Sequence, residues 1–276
     1  HWVPILLALL WAVVLSAYAW LRHTRLNSST FDLGIKAQVI WNTWRGDLFA
    51  SSVEVSHYLG DHVQLIFLLL APLFGLWADA RVLLIAQAVL LSLGAVPIYR
   101  IALRKLADRR LAIIFALVYL LFPLLGFVNR FDFHPVVFTI PFFLAAYDLL
   151  ESDHPWWATL FILLSLSLRE EVGLTVFAFG LYVDVFMGRR RLGLIWAAGG
   201  LAWSLINVGG YTMVLDWSGA SDRGRMTGFH QISYMVGLSI SPILGGALTE
   251  ALGFQAAVWV CAVVSGAGLP AALVAL

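Results

Sequence analysis

The sequence predicts an all-α, polytopic integral membrane bundle, because of its composition, its apolar runs and its aromatic content. Hydrophobic residues make up 61% of the 276 residues and charged residues 12%, with a mean hydropathy of +0.89. A soluble domain carries about 45–50% apolar and about 25% charged residues. The 18 Phe, 12 Trp and 8 Tyr fit aromatic belts at both lipid–water interfaces. A soluble enzyme and a disordered chain are excluded, as is a disulfide module, since Cys261 is the single cysteine.

Apolar runs that could cross a bilayer recur along the chain. A spanning helix needs about 20 apolar residues, with a working range of about 17–25. The candidate spans are residues 2–21, 82–99, 111–128, 135–150, 156–168, 172–187, 192–214, 226–248 and 256–276. The first run is too long for a signal-peptide core and is expected to be retained. Because the chain starts at His1 and stops inside the last run, we expect it to be a fragment.

Two segments before residue 80 predict helices that do not cross the membrane. Residues 63–78 are apolar but contain Pro72 and Gly75, so we expect a re-entrant or interfacial helix. Residues 31–44 are amphipathic and predict a helix along the membrane surface. The apolar face of that helix consists of Ile35, Val39 and Ile40.

Lysine and arginine in the short loops predict the orientation. One cluster lies at residues 100–110 (Arg100, Arg104, Lys105, Arg109 and Arg110) and the other at residues 189–191. Cytoplasmic loops carry such an excess, so we expect both clusters on the cytoplasmic side. The polar loop 22–61 then lies on the opposite side. Carboxylates and imidazoles from separate loops share that non-cytoplasmic face, where we expect the functional site.

Ionisable residues at the ends of spans have both functional and purely structural interpretations. Asp47, Glu54 and Asp61 fit solvated loop carboxylates. The segment 131–135 also fits a capped helix start with proline in the first turn, and residues 169–171 fit a self-neutralising loop. No zinc-ligand spacing, nucleophile elbow or phosphate-binding loop is found, while binding of a divalent cation by carboxylate oxygens stays open.

Several blocks within residues 1–187 resemble the signature blocks of one family, in the same order. The blocks are Phe31-Asp32-Leu33-Gly34, residues 41–46, His57-Tyr58-Leu59-Gly60-Asp61-His62, Ala71-Pro72-Leu73, Asp132-Phe133-His134-Pro135 and Arg169-Glu170-Glu171-Val172-Gly173. The family comprises predicted bacterial and archaeal membrane proteins of unknown function. It in turn resembles the GT-C superfamily of membrane glycosyltransferases, in which an Asp in the first external loop precedes an amphipathic helix.

The GT-C resemblance implies sugar transfer from a polyprenyl-phosphate sugar donor on the non-cytoplasmic face. Asp32 would take the proton of the acceptor hydroxyl or help to hold a metal ion. Many relatives have Asp-Glu where this chain has Asp32-Leu33, so a second acid would come from Glu170 or Asp132. The catalytic candidates are Asp32, Asp132, His134 and Glu170. The candidates for substrate binding are His62, Arg130 and Arg169, with the arginines on the lipid phosphate.

Residues 203–276 resemble the major facilitator transporters. Small residues recur at a spacing similar to the antiporter motif on the fifth span of that family. The motif residues are Arg223, Gly228, Gly237, Pro242, Gly245 and Gly246. Close helix packing is the structural alternative. The loop at 223–225 would be cytoplasmic in such transporters but external here, which indicates two joined parts, 1–187 and 188–276.

The sequence thus predicts a multi-pass protein of the cell membrane that acts as a lipid-linked-sugar glycosyltransferase. The alternative is a solute transporter of the major facilitator type. The expected partners are the bilayer and a polyprenyl-phosphate sugar. No nucleic acid is expected, since a formal net charge of +1 gives no indication of one.

Overall fold

The computed structural model describes residues 2–28, 30–53, 57–60 and 62–217, and the regular structure of this part is helical. The all-α prediction is confirmed for these residues, and the predicted spans 226–248 and 256–276 lie outside them. A π-helical turn, Thr30–Gly34, precedes α2, and a short 3-10 helix, Pro135–Phe138, precedes α8. The helices are α1 (Val3–Thr24), α2 (Ile35–Trp44), α3 (Phe67–Leu76), α4 (Arg81–Leu93), α5 (Ala95–Leu106), α6 (Arg109–Leu120), α7 (Pro123–Arg130), α8 (Thr139–Glu151), α9 (Pro155–Leu166), α10 (Val172–Val185) and α11 (Arg190–Trp217).

Three helical segments in the described residues are long and apolar enough to cross a bilayer. They are α1 with 22 residues, α4 and α5 together with 26, and α6 and α7 together with 22. At 1.5 Å per residue, 22 residues cover about 33 Å, which matches a hydrocarbon layer of about 30 Å. The spans predicted at 2–21, 82–99 and 111–128 are confirmed as helices of that length.

The spans predicted at 135–150, 156–168 and 172–187 form shorter helices than expected. α8, α9 and α10 have 13, 12 and 14 residues, or about 18–21 Å of helix. α9 ends at Leu166. The next carbonyl, that of Ser167, accepts a hydrogen bond of 3.0 Å from the Ile66 N–H instead of one from its own helix. The connections between these helices therefore use residues that the apolar pattern assigned to the spans.

A glycine joins α4 to α5 and lets them pass close to α6. A side chain at Gly94 would overlap the hydroxyl group of Tyr119. That hydroxyl donates a hydrogen bond of 2.8 Å to the Leu91 carbonyl, which also accepts from the Gly94 N–H at 3.2 Å. The partly buried hydroxyl is thus satisfied, as apolar surroundings require. Alanines fill the neighbouring core between α1, α5 and α6, including Ala8, Ala95 and Ala116.

Glycines also bring α10 and α11 into backbone contact. A Cβ atom on Gly200 would lie 2.5 Å from the Gly173 carbonyl oxygen, and one on Gly193 would lie 2.5 Å from the Asp184 nitrogen. Gly180 likewise faces the backbone of α11. Small residues at such positions let helices pack closely in a bilayer, where van der Waals contact drives association.

The arginines that predict the cytoplasmic side lie together at one end of the bundle. The Asp148 carboxylate of α8 lies 3.1 Å from Arg100 Nε and 2.6 Å from Arg104 Nη1, both on α5. Arg189, just before α11, pairs with Asp153 at 2.8 Å. We call this the basic end. α1 begins there, since its first residues line a cavity with Arg100 and Arg104.

The opposite end of the bundle holds α2 and α3, together with His62 and His134. We call it the histidine end. α3 has ten residues with Pro72 inside it, so it covers about 15 Å. Residue 66, at its start, bonds to the loop after α9, and Trp77, at its end, stacks on Trp20 of α1 with ring centroids 5.3 Å apart. Both ends of α3 thus lie at the histidine end. This short helix is consistent with the prediction that residues 63–78 do not cross, and the structure contains the helix predicted within 31–44.

Candidate functional site

A carboxylate, an imidazole and an ammonium group meet at the histidine end. Asp32 lies in the π-helical turn before α2, and Lys36 follows it by one helical turn. The Asp32 Oδ1 atom lies 3.1 Å from His134 Nε2 and 3.4 Å from Lys36 Nζ. The Asp32 side chain is 36% exposed, against 24% for His134 and 10% for Lys36. The carboxylate is therefore the most accessible group of the three.

Gln87 of α4 holds the extended segment that carries His134. Its Nε2 donates to the Asp132 carbonyl at 2.9 Å, and its Oε1 accepts from the His134 N–H at 2.8 Å. One side-chain amide thereby makes the two backbone hydrogen bonds that a neighbouring strand would make. Gln87 and Phe133 are both fully buried. The backbone of residues 132–134 is therefore fixed at two points.

The protonation of His134 follows from its surroundings. Burial lowers the pKa of His134 and the Lys36 ammonium lowers it further, while Asp32 raises it, so that the net pKa lies below 6.5. The imidazole is therefore neutral at pH 7 with a single N–H. That N–H is placed on Nε2, the nitrogen that lies 3.1 Å from a carboxylate oxygen of Asp32, and His134 Nδ1 is buried. A hydroxyl group arriving from outside would thus meet Asp32.

Three arginines surround a cavity of about 460 Å³ beside this pair, which we call the arginine pocket. Arg22 and Arg25 come from the C-terminal end of α1, and Arg130 is the last residue of α7. Arg22 Nη1 lies 3.1 Å from Asp132 Oδ1 and also donates to the Arg130 carbonyl. Within the described residues, no hydrogen bond or ion pair engages the side chains of Arg25 and Arg130. Counting the described residues alone, the pocket presents positive charge that no carboxylate balances at Arg25 and Arg130, which suits an anion such as a phosphate.

The arginine pocket and the Asp32–His134 pair are joined by one short stretch of backbone. Asp132, which pairs with Arg22, lies two residues before His134, which pairs with Asp32. Gln87 bonds to the backbone of both. One stretch of backbone, bonded at two points to Gln87, therefore connects the Arg22–Asp132 pair to the Asp32–His134 pair.

A second polar cluster at the histidine end involves Glu170, between α9 and α10. Its Oε1 lies 3.0 Å from His62 Nδ1, and its Oε2 accepts from the Val63 N–H at 3.0 Å. Burial raises the pKa of Glu170, but these hydrogen bonds outweigh burial and hold the pKa below its ordinary value. Arg169 lies 3.0 Å from Glu171 and 3.3 Å from His62 Nε2. This cluster links α3 to the α9–α10 loop.

The structure divides the residues that the sequence singled out. Asp32 pairs with His134, and Asp132 pairs with Arg22 of the arginine pocket, which Arg130 also lines. Glu170, Arg169 and His62 form the second cluster, where Arg169 is engaged by Glu171. Asp61 and all the transporter-motif residues, from Arg223 to Gly246, lie outside the described residues.

Sequence reasoning missed four residues of the site: Arg22, Arg25, Lys36 and Gln87. The arginines could have been found from their position in and just after the last turn of a span, where basic side chains reach the interface. Lys36 could have been found as the i+4 partner of Asp32. Nothing in the pattern distinguishes Gln87, because a single polar residue inside an apolar helix does not indicate its partner.

The described residues do not offer an evident metal site. Among them, no three His, Cys, Asp or Glu side chains come together closely enough to hold an ion. Asp32 and His134 are two such side chains, and no third joins them in the part of the chain that the structure describes.

The fold and the site define a helical integral membrane protein with an ionisable site at one end of its bundle. The chain belongs to the DUF2079 family: a family model described as a predicted membrane protein matches residues 22–260. The expected kinship with membrane proteins of unknown function is thus confirmed, and the match continues past residue 187 through the region where the sequence suggested a second part. No curated protein and no solved structure matches the chain.

Proposed function

We propose that this protein transfers a sugar from a polyprenyl-phosphate donor to a hydroxyl group, at the histidine end of the bundle. The observation that carries the proposal is the joining of the Asp32–His134 pair to the arginine pocket by residues 132–134. A glycosyl transfer from a lipid phosphate needs a base for the acceptor and a cationic site for the leaving phosphate. The two halves of the site supply these two requirements.

Asp32 acts as the general base. One of its carboxylate oxygens accepts the proton of the acceptor hydroxyl while that hydroxyl oxygen bonds to the anomeric carbon of the sugar. The bond between that carbon and the phosphate oxygen breaks, and its electron pair leaves with the lipid phosphate. His134 donates to Asp32 from Nε2 and Lys36 lies beside it, so both orient the carboxylate.

The arginine pocket binds the phosphate of the donor and of the departing lipid. Guanidinium groups bind phosphate oxygens through paired N–H donors, and such contacts gain strength as charge develops on the leaving group. Asp132 fixes Arg22 in place, and Arg25 and Arg130 are left to face the ligand. The lipid chain of the donor stays in the bilayer, because the pocket lies at the end of the α1 span.

The reaction takes place on the non-cytoplasmic face. Support comes from the opposite end of the bundle, which gathers Arg100, Arg104 and Arg189, since basic residues in short loops are retained in the cytoplasm. Polyprenyl-phosphate sugars are donors suited to that face, because a lipid carries the activated sugar without a soluble nucleotide.

The test is transfer of labelled sugar from polyprenyl-phosphate donors by the full chain in lipid. Asp32→Asn keeps the shape of the side chain and removes its proton affinity, so kcat should fall by about 10²–10⁴. Donor affinity should change little, since the arginines bind the phosphate. Arg130→Gln should instead weaken donor binding and raise KM.

Two controls accompany these variants. Asp47→Asn removes an exposed carboxylate of the same loop, and Arg45→Gln removes an exposed arginine that stacks on Trp41; both should keep activity within a few-fold. Equal kcat for the wild type and Asp32→Asn would remove Asp32 from the mechanism. Proton-coupled uptake of a solute, without transfer from any such donor, would favour the transporter alternative.

A further inference from the structure

A second arginine-rich cavity lies at the basic end, far from the site described above. It has a volume of about 410 Å³ and lies between the start of α9 and the start of α11. Its walls include Trp156 and the consecutive residues Arg189, Arg190 and Arg191. Neither the proposed transfer reaction nor the family match gives this cavity a role.

The cavity keeps a positive charge after the ion pair between Arg189 and Asp153 is taken into account. Arg189 is engaged by Asp153, at 2.8 Å, and by the Leu150 carbonyl, at 3.0 Å. Arg190 and Arg191 are exposed, and no hydrogen bond or ion pair in the described part of the chain engages their side chains. The backbone N–H groups at the start of α11 add partial positive charge at the same place. The cavity thus offers two uncompensated guanidinium groups to an anion.

Exposed aromatic side chains beside the cavity favour a position at the level of lipid headgroups. Trp156 is 85% exposed and the adjacent Trp157 is 61% exposed, both in the first turn of α9. Tryptophan concentrates at the membrane–water interface, where its ring lies among the headgroups. An anion bound between Trp156 and the arginines would therefore lie where the phosphates of lipids lie.

We propose that this cavity binds the headgroup of an anionic phospholipid from the cytoplasmic leaflet. The phosphate contacts Arg190 and Arg191, and the indole ring of Trp156 packs against the glycerol and the first methylenes of the acyl chain. Basic pockets between helices on the cytoplasmic side are suited to such lipids. A soluble phosphate would gain only the charged contacts and none of the apolar ones, which is why the structure favours a lipid. The proposal is independent of the transfer reaction.

The test measures binding of single lipids to the full chain by native mass spectrometry in detergent. Phosphatidylglycerol is titrated against the wild type and against a variant with Arg190→Gln and Arg191→Gln. Each arginine near an anionic lipid contributes roughly fivefold, so the apparent Kd of the first bound lipid should rise about 25-fold. Phosphatidylcholine should bind more weakly to the wild type and equally to both proteins.

The matched control is Arg109→Gln with Arg110→Gln, a second pair of adjacent exposed arginines, at the start of α6. This control should bind phosphatidylglycerol like the wild type. Equal weakening by both pairs would reduce the effect to general charge and overturn the proposal, as would an unchanged Kd in the Arg190 and Arg191 variant. Competition by millimolar glycerol 3-phosphate would identify a soluble anion as the ligand instead. Trp156→Ala, which leaves every charge in place, should also raise the Kd, and an unchanged Kd would contradict the lipid assignment.

Discussion

Replacing Gly200 with alanine should separate α10 from α11 and lower the stability of the protein. The new Cβ atom would lie 2.5 Å from the Gly173 carbonyl oxygen and 2.6 Å from the Phe177 nitrogen, whereas ordinary contacts lie at 3.4–4 Å. Both atoms belong to the backbone, so no side-chain rotation can relieve the overlap. The helices must therefore move apart by about 1 Å, and overpacking of this kind costs about 1–3 kcal/mol.

Gly199→Ala provides a matched control on the same helix. A Cβ atom at Gly199 meets nothing within 4 Å. The change from glycine to alanine inside a helix stabilises it by up to about 1 kcal/mol, and this gain is common to both variants. The difference between the two variants therefore isolates the cost of the helix contact.

The assay is thermal unfolding of both variants in the same detergent at one scan rate. For a chain of about this size, each kcal/mol of lost stability lowers the melting temperature by about 2–4 °C. Gly200→Ala should therefore melt about 2–12 °C below Gly199→Ala. The separation should also disturb Glu170, whose carbonyl accepts a hydrogen bond of 2.8 Å from Ser204 Oγ, one turn after Gly200. Equal melting temperatures for the two variants would refute the close packing of α10 on α11.

The other predictions concern orientation, a buried ion pair and pH. With Cys261 replaced, Lys105→Cys should resist an impermeant thiol reagent in intact cells and Asn27→Cys should react; labelling at position 105 would reverse the assigned faces. Asp148→Asn removes a carboxylate that is 4% exposed and pairs with two guanidinium groups, so unfolding should cost about 1.5–3 kcal/mol less, and an unchanged melting temperature would contradict that pairing. The folded protein holds the pKa of Glu170 below its ordinary value of 4.5. Ionised Glu170 therefore stabilises the fold above about pH 4.5, and this stabilisation is lost as the pH falls through the lowered pKa. Melting temperatures measured downward from pH 7 should show this loss, and Glu170→Gln should remove it; an equal loss in that variant would assign the effect to other groups.

The fold was predictable where it depends on apolar length. The runs at 2–21, 82–99 and 111–128 correspond to long helices, and Pro72 lies inside a helix of only ten residues. The short helices α8 to α10 were not predictable at their ends, because contacts such as Ile66 with Ser167 terminate them. Such contacts join residues about a hundred positions apart and leave no local pattern.

The site was predictable only in part, for a similar reason. Acidic and histidine side chains at the ends of spans indicated Asp32, Asp132 and His134. In the structure Asp32 pairs with His134, two residues after Asp132. Glu170 satisfies the same criterion, yet its carboxylate bonds to His62 and Val63. Which acid pairs with which imidazole depends on how the helices pack, and residues about a hundred positions apart leave no local pattern that shows the pairing.

Gln87 fixes the backbone that connects the two halves of the candidate site. Its amide bonds to Asp132 and to His134 at once, so neither backbone group can shift without breaking a buried hydrogen bond. In the proposed reaction, the interval between the bound phosphate and the base is then constant, and a donor fits only if its phosphate and anomeric carbon span that interval. For the proposed reaction this predicts that a monophosphate and a diphosphate donor, which differ by one phosphoryl unit, react at different rates even where the arginine pocket binds both.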